Sequence, residues 1–164
     1  MKIFNILKTF NNFEKIYIVV FIISLLAGIG YGLIDKDYFT CCEDSIGVPE
    51  GGTNPMKIFS SNYFISLTEM ITAGLSSLYF NFHTFSITSS YLNSQGTLFT
   101  LPIILAIAFF ELTGSLFLAL TGLSFVEKKL FKIKSQLKPK ELFFYGTALI
   151  FIGAVVEYAL LSLL

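Results

Sequence analysis

Three glutamates, Glu69, Glu111 and Glu157, each stand alone in an apolar stretch that holds no lysine. A carboxyl in such a stretch is costly to ionise, so it faces protein or a water-filled space rather than lipid. Two chemistries are open to the set. The carboxyls can form a relay that binds a cation or passes a proton. Alternatively they are neutral and hydrogen-bonded to Asn62, Asn81 and a seam of Ser and Thr positions, and so cement helices together. His83, the one histidine, could shuttle protons near neutral pH; the plainer reading is a hydrogen-bonded packing residue. Glu69, Glu111, Glu157, Asn62, Asn81 and His83 are therefore the candidate polar core.

Nothing else in the chain suggests catalysis. There is no Gly-x-Ser-x-Gly, no His-Glu-x-x-His, no paired aspartates and no phosphate-binding glycine loop. No catalytic residues, cofactor or metal site are expected. The two cysteines, Cys41 and Cys42, are adjacent, which builds neither a metal-ligand spacing nor a disulfide framework.

The elements that must position these groups are membrane helices. The 164 residues are 54% hydrophobic and 13% charged, with a mean hydropathy of +0.74. A soluble domain carries about 25% charged residues, so this chain cannot cover itself with polar surface. Leu101 to Phe125 is 25 residues long with Glu111 near its middle, and about 20 apolar residues cross a bilayer. Steps of three and four put Ala108, Glu111, Ser115, Leu118 and Gly122 on one face, away from Phe109, Phe117 and Leu120. Similar seams are Asn62, Ser66, Glu69 and Ala73; Ser77, Asn81, Thr84 and Thr88; and Gly146, Ile150, Gly153 and Glu157. Small residues let helices approach closely. Gly28, Gly32, Gly74, Gly114, Gly122, Gly146 and Gly153 are the candidate packing positions.

The expected fold is all-α: one integral membrane domain, a polytopic bundle of about five spans. Residues 1–15 read as an interfacial helix. The spans cover about 16–34, 58–73, 75–92, 97–125 and 142–164, with a turn at Asn93 to Gly96. The first span lacks a cleavage site and is expected to remain as an anchor. Lysine positions fix the count. Residues 1–15 hold three lysines and one acid, residues 127–141 six lysines and two acids, and residues 35–57 five acids and two lysines. Basic flanks stay in the cytoplasm, so an even number of crossings separates them. Residues 58–92 therefore cross twice, breaking at Gly74, or form a re-entrant pair. The N-terminus and the 126–141 loop are then cytoplasmic; the 35–57 loop and the C-terminus are extracytoplasmic. The protein is expected in the cell membrane. Its partners are membrane lipid and either further copies of itself or other membrane or envelope proteins. The lysines of 128–140 sit beside a span and serve lipid contact or topology, not nucleic acid.

From about Ile58 to Phe125 the order of features resembles the stage II sporulation protein M family. The likeness rests on Ser61-Asn62, Gly74, Phe80-Asn81 and Phe110-Glu111-Leu112, followed by small residues and Gly122-Leu123. The family usually has Pro-His-Gly ahead of Phe-Glu-Leu, where this chain has Ala106, Ile107 and Ala108, and a glycine after the asparagine, where it has Phe82. Any role tied to that histidine is absent or displaced here. The resemblance implies a non-enzymatic membrane scaffold or accessory subunit, similar to the namesake that holds cell-wall-remodelling enzymes at the sporulation septum. The alternative is a small oligomeric transporter or channel module that uses the carboxylates as a proton or cation relay.

Overall fold

The computed structural model describes residues 10–35, 38, 54–95, 101–133 and 137–161. These form helices α1 (Asn12–Ile34), α2 (Pro55–Ile71), α3 (Leu75–Gln95), α4 (Leu101–Val126) and α5 (Pro139–Leu161); a π-helical turn, Glu127–Phe131, prolongs α4. No strand occurs among the described residues. Three segments are long and apolar enough to cross a membrane: Asn12–Ile34, Leu105–Phe131 and Pro139–Ala159. Their outward sides carry exposed apolar residues, such as Ile16, Ile23 and Leu26 on α1 and Phe144, Phe151 and Val155 on α5. The shorter α2 and the Ser- and Thr-rich α3 are less apolar. At 1.5 Å per residue they are still about 25 and 31 Å long.

Local chemistry sets the helix ends and moves several expected boundaries. Asn11 and Glu14 form a reciprocal capping box, so α1 starts four residues before Ile16 and takes in the end of the supposed interfacial helix. Residues 1–9 of that segment lie outside the described residues, as do Cys41 and Cys42. Asn54 caps α2 through the amide of Lys57, with Pro55 in the first turn. At the other end of α2, Gly74 N–H donates to the Glu69 carbonyl (2.7 Å) and Ala73 N–H to that of Met70 (3.1 Å). This is a Schellman closure, with Ala73 at φ 52° and Gly74 at φ 84°. An alanine in the left-handed region costs about 1 kcal/mol, and Ala73 leaves the helical seam assigned to it. α3 continues through Asn93 to Gln95 where a turn is expected, and Asn93 Nδ2 donates to the Leu33 carbonyl (3.0 Å). The basic segment is partly helical too: the π turn closes at Lys132 (φ 53°), and α5 begins at Pro139, ahead of Leu142.

Interhelical contacts give the direction of each helix. Tyr17 meets Ser77, Gly28 lies on Phe82, Gly32 on Ser86, and Leu33 meets Asn93, so α1 and α3 run parallel. Asn62 meets Glu111, Glu69 meets Ser115 and Met70 meets Gly122, so α2 and α4 also run parallel. α5 returns antiparallel to α4, since Thr121 reaches the Pro139 carbonyl (3.5 Å) and Glu111 lies against Gly153. One end of the bundle therefore gathers Asn11, the Gly74 turn, Glu127 and Pro139. Lys128, Lys129, Lys132, Lys138 and Lys140 follow at that same end.

Close packing depends on missing side chains. A Cβ at Gly28 would come within 2.5 Å of the Phe82 carbonyl oxygen, and one at Gly32 would collide with that of Ser86. The small-residue step of α1 is thus consumed by α3. Gly114 and Gly146 face each other across α4 and α5. Leu118, Ala119 and Leu120 are fully buried beneath them. Tight packing joins α1 to α3, and α2, α4 and α5 to one another; α3 touches α2 and α4 only lightly.

Candidate functional site

That loose contact leaves a cavity of about 260 Å³ between the two packing units. α2 presents Asn62, Ser66 and Glu69 to it; α3 presents Asn81, Thr84 and Thr88; α4 presents Ala108, Glu111 and Ser115. The positions are three or four residues apart on each helix, so each contributes one face. Among the described residues, no basic side chain lines the cavity.

Each carboxyl has polar neighbours of a different kind. Glu69, 2% exposed, accepts a hydrogen bond from Ser115 Oγ. Glu111 accepts one from Asn62 Nδ2. Glu157 lies one helical turn beyond Gly153, whose backbone packs against Glu111. Glu157 is not part of the cavity wall; it backs Glu111 from α5. Asn81, 4% exposed, lines the cavity with a buried Nδ2 that has no hydrogen-bond partner in the protein. An unpaired buried amide is expensive, and the cavity it lines is the one that holds Glu69 and Glu111. The arrangement can take up a proton, water or a small cation.

His83 stands apart. Its Nδ1 is 2.9 Å from the Tyr38 hydroxyl and its ring stacks on Tyr79. It does not reach the cavity. Gly74 supports the site from below: its carbonyl accepts from the Tyr17 hydroxyl (3.2 Å), and a Cβ there would strike the Tyr17 ring.

No protein-family model, curated protein or solved structure matches the chain.

Several polar residues escape a search for charges inside apolar runs. Tyr17 counts as an apolar residue in a hydropathy reading, yet its hydroxyl is buried against Ser77 Oγ at 2.6 Å. Glu14 and Glu127 count as flanking charges, yet both are fully buried. The one signal for Glu14 is the Asn-x-x-Glu pattern of a capping box; no sequence pattern points to Glu127. Among the described residues, the salt bridge between Lys138 and Glu141 (2.7 Å) is exposed. Glu141 raises the Lys138 pKa there.

Proposed function

We propose that this chain is a multi-pass membrane protein that binds and passes protons or small cations through its acidic cavity. The observation that carries the reading is the wall itself: two carboxyls, a third behind Glu111 on α5, an unpaired buried amide and, among the described residues, no basic group. A purely structural polar seam would pair its donors and leave no space. The test compares flux of protons or a small monovalent cation into liposomes bearing the full chain with flux through Glu111→Gln.

The five-span layout belongs to this proposal: N-terminus cytoplasmic, C-terminus and the 35–57 loop extracytoplasmic. Its support is the shared end of the bundle that gathers Asn11, the Gly74 turn, Glu127 and Pro139, on the lysine-rich side that stays inside. Cys41 and Cys42 are the only cysteines. A membrane-impermeant maleimide, added to intact cells after mild reduction, is expected to label them. Labelling only after permeabilisation would reverse the orientation.

A second reading, scaffold or accessory subunit, follows from the resemblance to the stage II sporulation protein M family. It is favoured by one observation: Asn62, Asn81 and Glu111, which carry that resemblance from three helices, all line the same cavity. This reading expects a stable assembly with other envelope proteins when the native complex is gently solubilised and weighed. A homo-oligomer without partners would remove it and leave the conduit.

A further inference from the structure

The cavity does not account for all the buried acid. Glu14 and Glu127 are both fully buried at the lysine-bearing end and share Asn11, whose backbone N–H donates to Glu14 Oε2 (2.8 Å). Asn11 Nδ2 donates to Glu127 Oε2 (3.1 Å), while Glu127 Oε1 is buried without a partner. Burying two acids around one asparagine is costly, and of the two only Glu14 has a structural task, in the capping box of α1.

Between this pair and the cavity stands Tyr17. Its hydroxyl bonds Ser77 Oγ and the Gly74 carbonyl, and the Gly74 N–H in turn bonds the Glu69 carbonyl. Glu14 is three residues away on the same face of α1, about 4.5 Å along the axis. Apolar side chains fill the surroundings: Phe10, Leu120 and Leu123 pack in one cluster with Tyr17. A metal cation needs a continuous polar cage to replace its hydration shell. A proton needs only titratable or hydroxyl groups, linked by single waters.

We propose that the species carried is the proton, and that it travels between the cavity and the lysine-bearing end through Glu69, the Tyr17–Ser77 hydroxyl pair and the Glu14–Glu127 pair. The inference rests on the cavity acting as a conduit. In each step an oxygen lone pair accepts one proton as the group releases another to the next acceptor. The hydroxyls of Tyr17 and Ser77 are neutral before and after. No electrons move and no co-reactant is consumed; each passage leaves one proton fewer at Glu69's side and one more at Glu127's.

The experiment uses the full chain in liposomes loaded with a pH-sensitive dye under an imposed potential, with sodium and potassium uptake followed in parallel. The parent is expected to pass protons and neither metal ion. Tyr17→Phe and Glu127→Gln are each expected to slow proton entry by more than about tenfold. Glu127→Gln keeps the side-chain shape and an oxygen for Asn11, so it decides the matter if Tyr17→Phe fails to fold. Unchanged proton entry in Glu127→Gln overturns the route while the cavity reading stands. Sodium or potassium uptake without proton entry does the same. No flux of any ion in the parent overturns both.

Discussion

Replacing Gly122 with alanine is expected to destabilise the folded protein by about 3 kcal/mol, at the upper end of overpacking costs. Its melting temperature in detergent should fall by about 10 °C. The added Cβ would overlap the Met70 carbonyl oxygen, with the Met70 carbonyl carbon 2.8 Å away. Backbone cannot rotate aside as a side-chain tip can, so α2 must shift against α4. That shift would pull Glu69, the neighbour of Met70, from Ser115, two turns from Gly122 on α4. Gly30→Ala is the control. It sits on the same kind of apolar helix, but a Cβ there meets nothing within 4 Å. It should be neutral or stabilising by up to about 1 kcal/mol, because alanine is the better helix former. Equal losses in the two variants would show that helix approach at Gly122 is not limiting.

The contrast between those glycines explains what the sequence can and cannot convey. Periodicity put Glu111, Ser115 and Gly122 on one side of α4 because helical spacing alone determines a shared face. It could not say which neighbour that face meets. Gly28 and Gly32 read as an approach site for any helix, and the structure gives them to α3. Ends of helices were less legible than faces. Asn11–Glu14 looked like a membrane flank until its capping box was seen, and α3 overran a turn-rich Asn93-Ser94-Gln95. Turn propensity there is weak against the bond from Asn93 to Leu33. Burial was the least legible property. Glu14 and Glu127 sit among lysines in sequence, 113 positions apart by number, and only the fold brings them together.

The second large effect concerns function. Glu111→Gln retains the volume and an oxygen for the Asn62 amide. What it removes is the ability to gain and lose a proton. Stability should therefore change by less than about 0.5 kcal/mol, the range of near-isosteric changes away from the main cost mechanisms. Flux should fall by more than about tenfold, since the intramembrane carboxyl is the step that holds positive charge in a dry wall. A variant that melts early as well as losing flux would point to packing rather than charge.

The most direct test of the acidic cavity as a conduit is therefore flux into liposomes reconstituted with the full chain, parent against Glu111→Gln, at matched protein content and matched melting temperature. The account predicts measurable proton or cation entry in the parent and its near loss in the variant. Parent-level entry in Glu111→Gln, or no entry in the parent at all, would contradict it.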